Sequence, residues 1–343
     1  RGATLGLACL VAACRPAAPV DAAAPAAPTQ TPFDAEPYAE GRLADTTRIF
    51  LIAGGDDIAN FAQEVVTQRA LWTEAGAADE SVACYWAKPA PEAWEADRDQ
   101  YEALAAELSR CRRAEPATVR ADLRAAAEQA PPWIYVFITS HGLPPLLQWS
   151  ARSVDRREVA RQFEASYAEL DAVDQHAVGL QAGPGPRLSQ ARRILEERRA
   201  GAPMGDLMLS PSTLAETLGA FPEATVKVVV IQACFSGGFI GDTTDKAGLS
   251  PLTEVPNVVV LTATAHDRPS FGCGAGQLST YYGGALNKAL ARHLESGTTP
   301  DRLPWETIWE DTAFVVDAME SIDGERPSVP HFFSNLGGSV RLR

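Results

Sequence analysis

The chain has 343 residues, enough for one large domain or two of ordinary size. Its apolar content of 46% supports a sizeable core. Its formal net charge of −14 argues against a nucleic-acid partner, because binding phosphates needs clustered Lys and Arg.

Residues 3–14 read ATLGLACLVAAC, apolar and uncharged behind Arg1. The run is shorter than the ~20 residues that a membrane-spanning helix needs. It fits the apolar core of an export signal. Val11-Ala12-Ala13-Cys14 resembles a bacterial lipobox, which implies a lipidated Cys14 at the start of the mature chain. The expected location is then the bacterial envelope, with the membrane reached only through that anchor. The alternative is a simply cleaved signal, with Cys9 and Cys14 discarded. Residues 15–46 are rich in Ala and Pro and bury too little apolar surface to fold, so they read as an extended tether.

The folded part is expected over 47–343. The run TRIFLIAGG, ending at Gly55, reads as a buried strand stopped by Gly-Gly. Residues 58–76 have helical spacing, and 81–88 (SVACYWAK) form a second strand candidate. Residues 92–111 and 116–129, rich in Ala, Glu and Arg, read as helices. PPWIYVFITSHG (131–142) is a third strand, again uniformly apolar and again ending in a polar residue and glycine. Residues 151–205 are charged and helical in pattern, interrupted by GPGP. A helix at 210–221 opens on a Ser210 cap followed by proline. VVVIQACFSGGFIGD (228–242) holds the fourth strand and 255–267 the fifth. Helices follow at 279–294 and 304–319, and the C-terminal SVPHFFSNLGGSVRLR offers a last strand.

Uniformly apolar strands separated by helices predict an α/β fold: a three-layer sandwich with a mostly parallel sheet and helices on both faces. Ligands of such sheets sit at the carboxyl ends of the strands. Gly54-Gly55, Ser140-His141-Gly142, Gln232-Ala233-Cys234 and Thr264-Ala265-His266 are all expected at that edge. Four cysteines lie in the folded part, and Cys84 and Cys111, flanking a helical segment, are candidates to pair in an exported protein. No spacing reads as a zinc site, and no cofactor is implied.

A cysteine nucleophile needs a thiolate and a proton shuttle. Cys234 and His141 stand at two strand ends, each followed by a turn whose N–H groups are expected to lie outside the sheet. Such N–H groups can stabilise an oxyanion, and Gly142 lets a carbonyl approach the backbone closely. Taken alone, Cys234 reads as a small core residue and His141 as a solvated turn residue; the pair on this scaffold points to chemistry. GCGAGQLST (272–280) lacks the lysine of a phosphate loop, and the residue two before Ser236 is Cys234 rather than the glycine of a nucleophile elbow.

An apolar strand ending His-Gly, followed by one ending Ala-Cys, resembles the caspase and legumain clan of cysteine peptidases. Ala233-Cys234-Phe235-Ser236-Gly237 is closest to the legumain pattern, and NVVVLTATAHDRPSFGC (257–273) is similar to the legumain segment after its cysteine. SVPHFF is similar to its closing strand. The resemblance covers about 47–343, with 150–205 as a foreign helical insertion. It implies peptide-bond hydrolysis through a thioester on Cys234. It implies His141 as general acid and base, and the N–H groups of Gly142 and Cys234 as the oxyanion hole. It further implies Asn60 as the residue orienting the histidine, against a plain helix-cap role. In the specificity pocket it keeps Ser270. It puts Ala62-Gln63 where legumains carry Arg-His, Gln232 where they carry Glu, and Gly284 where they carry an acid. Asparaginyl specificity is therefore not expected, and a smaller or more apolar first pocket is. His266 is a competing base, and Cys273 reads as a packed thiol. The expected partner is a peptide or protein substrate. Transpeptidation through the same acyl-enzyme and a non-catalytic envelope scaffold remain alternatives.

Overall fold

The computed structural model describes residues 43–55, 58–143, 161–162, 165–166, 168–181, 189–242, 248–273 and 277–343. The signal, Cys14, most of the tether and the segment 144–160 lie outside the described residues.

An eight-stranded sheet forms the middle layer. Its strands are β1 Ile49–Ala53, β2 Val82–Trp86, β3 Arg112–Arg113, β4 Trp133–Thr139, β7 Val226–Gln232, β8 Val258–Thr262, β9 His331–Ser334 and β10 Arg341–Leu342. The spatial order is β10-β9-β8-β7-β4-β1-β2-β3. Pairing is parallel from β3 through β8, and β9 and β10 are antiparallel additions at one edge. The four central strands are buried on both faces, which is why their sequences run apolar without alternation.

Helices α1 Ala59–Glu74, α2 Arg98–Glu107, α3 Pro116–Ala127, α4 Ser189–Arg199, α5 Pro211–Gly219, α6 Tyr281–His293 and α7 Trp305–Asp323 surround it. On one face, Tyr135 and Phe137 of β4 pack with Phe61 and Trp72 of α1, Leu286 and Leu290 of α6, and Trp305 and Ile308 of α7. On the other, Ile134, Val136 and Ile138 of the same strand pack with Val119 and Leu123 of α3 and with Leu214 and Leu218 of α5. This is the expected three-layer α/β arrangement. The Ser210 cap is present, with its hydroxyl accepting the Thr213 N–H.

Three expectations change in detail. The helix expected over 92–111 is a 3-10 segment, Pro91–Asp97, followed by α2, which stops at Glu107. Beyond it Cys111 is joined to Cys84 by a disulfide, and Arg112 and Arg113 take up pairing with Tyr85 and Trp86, which a continuing helix could not do. Helix α7 runs past 319 to Asp323, closed by Gly324 at φ 71°. The expected 150–205 helical insertion is not wholly helical. Its described part contributes strand β6 Ala177–Val178, which pairs with β5 Gly142–Leu143, and packs Ile194, Leu195 and Met204 into a small core with Leu143, Leu207 and Met208. Among the described residues no helix is long and apolar enough to cross a membrane.

Candidate active site

The register of β4 on β7 sets the site. Thr139 stands opposite Gln232, and the Ser140 N–H donates to the Gln232 carbonyl at 3.0 Å. Two residues beyond this pair on each strand come His141 and Cys234. The following backbones lie in contact: a Cβ built on Gly142 would fall 1.7 Å from the Cys234 carbonyl oxygen. No residue with a side chain fits there without separating the two strand ends.

The expectation that the Gly142 backbone sits in a turn outside any sheet is corrected. Gly142 belongs to β5, opposite Val178. Val178 itself exchanges its N–H and carbonyl with Leu209. The insertion therefore closes over the residue next to the histidine.

Cys234 is partly exposed and outside any disulfide, whereas Cys273 is buried. The Cys234 Sγ receives the Ser270 N–H at 3.2 Å, and the Phe235 N–H donates to the Arg268 carbonyl at 2.8 Å. The loop after β8 thus wraps the thiol. Phe235 adopts the left-handed conformation (φ 60°), uncommon for a side chain of its size, and so turns the chain away directly after the cysteine. Three contacts hold that turn. The Ser236 hydroxyl accepts the Ala263 N–H at 3.0 Å. A Cβ on Gly237 would meet the Ala265 and His266 backbone at 2.5 Å, and one on Gly238 would strike the His176 ring at 2.1 Å. The residues Ser236-Gly237-Gly238 are explained by this close packing.

His141 is partly exposed, with its ring edge-on to Phe61 at 5.1 Å between centroids. Asn60 is fully buried in the first turn of α1 and donates its side-chain amide to the Gln277 carbonyl at 2.7 Å. The Asn60 Oδ1 is buried without a hydrogen-bond partner among the described residues. Gln63, one turn into α1, is partly exposed, and Ala62 is buried. Gly284 lies in the first turn of α6, beside the Ser279 hydroxyl.

His266, the competing base of the sequence reading, packs edge-on to His176 at 6.1 Å between ring centroids. Burial, then the neighbouring His266, lowers the His176 pKa to about 4. Burial likewise lowers that of His331, whose Nδ1 is buried without a partner among the described residues. Among the described residues no group of three or more His, Cys, Asp or Glu is arranged to hold a metal ion.

Sequence reading missed the polar chain behind the thiol. Gln232 is fully buried, 2.9 Å from the Thr139 hydroxyl through Oε1 and 3.4 Å from the Ser270 hydroxyl through Nε2. The Thr139 hydroxyl is also 2.6 Å from Glu64 Oε2, and Glu64 Oε1 accepts from the Thr280 N–H at 2.8 Å and its hydroxyl at 2.7 Å. Burial pushes the Glu64 carboxyl up, and its hydrogen bonds to Thr139 and Thr280 pull it back in part. The available signal was a glutamate on the inward stripe of α1, one turn beyond Asn60.

No protein-family model matches the chain, and no curated protein sequence matches it. Among solved structures the fold is similar to that of caspase-1 from Spodoptera frugiperda, at 13% identity and a TM-score of 0.43, covering 86% of this chain and 89% of that one. It is also similar to a structural-genomics protein from Geobacter sulfurreducens, at 11% identity and a TM-score of 0.43, covering 84% and 92%. The chemistry of the site rests on its own atoms.

Proposed function

We propose that the protein is a cysteine peptidase of caspase-like architecture, hydrolysing peptide bonds through a thioester on Cys234. One observation carries the reading: the Gly142 backbone lies against Cys234, so the His141 and Cys234 strand ends meet at the carboxyl edge of the sheet. A core cysteine would be enclosed; this one is partly exposed, with its sulfur accepting the Ser270 N–H at 3.2 Å and its thiol facing the Ser270 carbonyl at 3.7 Å.

In the proposed reaction the Cys234 thiolate attacks the peptide carbonyl carbon. A C–S bond forms and the carbonyl oxygen becomes an oxyanion beside the Gly142 and Cys234 N–H groups. His141 gives its proton to the leaving nitrogen as the C–N bond breaks. Water then attacks the thioester carbonyl while His141 takes its proton, and the C–S bond breaks, releasing the carboxylic acid and restoring the Cys234 thiolate beside a protonated His141. Ser270 holds the surroundings of the thiol through its N–H, and Asn60 is the proposed orienting residue for the histidine.

The pocket residues favour a P1 side chain other than asparagine. Ala62, Gln63, Gln232 and Gly284 supply none of the charges of the legumain frame. The Cys84–Cys111 disulfide fits an oxidising compartment and so supports export, while the lipid anchor proposed at Cys14 rests on its lipobox-like sequence alone.

The test is labelling of the purified chain with peptide acyloxymethyl ketones under reducing conditions, followed by peptide mapping. The adduct is expected on Cys234 and is lost in Cys234→Ala. A chain that gives no Cys234 adduct with any peptide is not a peptidase of this kind. A fluorogenic peptide library reads specificity, and cleavage confined to asparagine would overturn the pocket assignment.

A further inference from the structure

Glu64 is buried at 0% exposure, and among the described residues no cation pairs with it. Its surroundings form one hydrogen-bonded chain from α1 to the thiol: Glu64, Thr139, Gln232, Ser270, Cys234. The α6 end is closed by the two Thr280 donors and by Gly283, where a Cβ would fall 2.1 Å from the Glu64 carboxyl carbon.

Counting protons decides the state of this chain. The Thr139 hydroxyl has one hydrogen, yet it faces two oxygens, Glu64 Oε2 and Gln232 Oε1. An ionised Glu64 would consume that hydrogen and leave the Gln232 oxygen facing a lone pair. A protonated Glu64 removes the conflict. Its O–H donates to Thr139, the Thr139 O–H donates to Gln232 Oε1, and Gln232 Nε2 donates to the Ser270 hydroxyl oxygen. Glu64 Oε1 meanwhile accepts both Thr280 donors. The other consistent arrangement turns the Gln232 amide over and ionises Glu64. That places a carboxylate in a fully buried site without a cation, the costlier choice.

We infer that Glu64 is a neutral positioning residue for Cys234, holding Ser270 through Thr139 and Gln232 so that the Ser270 N–H stays on the sulfur. The inference rests on Cys234 being the reactive thiol of the proposed function, and it assigns that site a support on α1. The Ser270 N–H lies on the sulfur, where it favours the thiolate. In the neutral arrangement the Ser270 hydroxyl hydrogen also stays uncommitted to Gln232.

The experiment is the pH profile of Cys234 alkylation by iodoacetamide in the full-length, disulfide-intact protein, with the adduct assigned by peptide mapping. Glu64→Gln reproduces the neutral acid, since its amide donates to Thr139 and its oxygen accepts from Thr280. Its profile is expected to overlay that of the wild type. Glu64→Ala is expected to raise the inflection by about half a pH unit or more, slowing alkylation at neutral pH by roughly threefold. Thr139→Val cuts the chain while leaving Glu64 in place, and is expected to give the same displacement even if Glu64→Ala fails to fold. A Glu64→Gln profile displaced from wild type would overturn the neutral state. An undisplaced Thr139→Val profile would overturn the coupling. Iodoacetamide needs no peptide recognition, so these outcomes stand whether or not the acyloxymethyl ketones label Cys234.

Discussion

At the scale of single residues, glycines rather than charges set the site. The Gly142→Ala methyl would be placed inside the Cys234 carbonyl, with backbone on both sides and no flexible side chain to yield. The two strand ends must then part. We expect Gly142→Ala to lose about 2–3 kcal/mol of stability, in the range of overpacked cores, and at least roughly tenfold in the rate of Cys234 labelling. Urea unfolding and labelling kinetics read the two effects separately. His176 is the residue-scale source of pH dependence. Burial holds its folded pKa near 4, below the 6.5 of the unfolded chain. Between those values the unfolded chain binds more protons, so the His176 contribution is fully present above pH 6.5 and is lost as pH falls toward 4. Glu64 and Glu320, whose carboxyls are pushed up by burial, act with the opposite sign. The check is therefore a difference: comparing wild type with His176→Asn, the wild type should lose about 2–3 kcal/mol more between pH 6.5 and 4.

At the scale of elements, the turn after β7 and the loop after β8 form one unit. Phe235 in the left-handed region, the Ser236 hydroxyl on the Ala263 N–H and Gly237 against Ala265 lock them together. The Ser270 N–H reaches the sulfur because of that lock. Farther along the sheet, the Cys84–Cys111 disulfide ties β2 to the end of the α2 region across 27 residues. A loop of that length contributes about 3.5 kcal/mol by restricting the unfolded chain. Reduction should lower stability by about that amount while leaving the strand ends at Cys234 and His141 in register. Urea midpoints with and without reductant test it, with Cys234 labelling as the control. The insertion belongs to this scale too. Its β6 strand pairs with the residues right after His141, so it fixes the chain at one edge of the candidate site.

At the scale of the whole molecule, the parallel sheet gathers four separated stretches of chain at one edge. The runs ending at Gly55, His141, Cys234 and Thr264 are each apolar because both sheet faces are covered. That made the three-layer fold readable without coordinates, since helices and uniformly apolar strands alternate along the chain. The Ser210 cap and the position of Cys234 just past a strand end were readable for the same reason: each is a local pattern with a local cause. The boundary of α2 was not, because it depends on a disulfide and on an edge pairing with β2, both remote in sequence. The part of 150–205 that pairs with Gly142 was hidden likewise, since two-residue strands leave no periodicity to detect.

The amino-acid sequence by itself determined the main strands and helices and which strand ends carry Cys234 and His141. Those properties follow from local apolar runs, caps and residue identity. Only the tertiary structure decided what stands behind the thiol. Glu64, Thr139, Gln232 and Ser270 come from four distant segments, and each reads alone as an ordinary helix, strand or loop residue. A hydrogen-bonded chain among them exists because parallel register sets Thr139 opposite Gln232 and packing of α1 and α6 on the sheet leaves Glu64 no route to water.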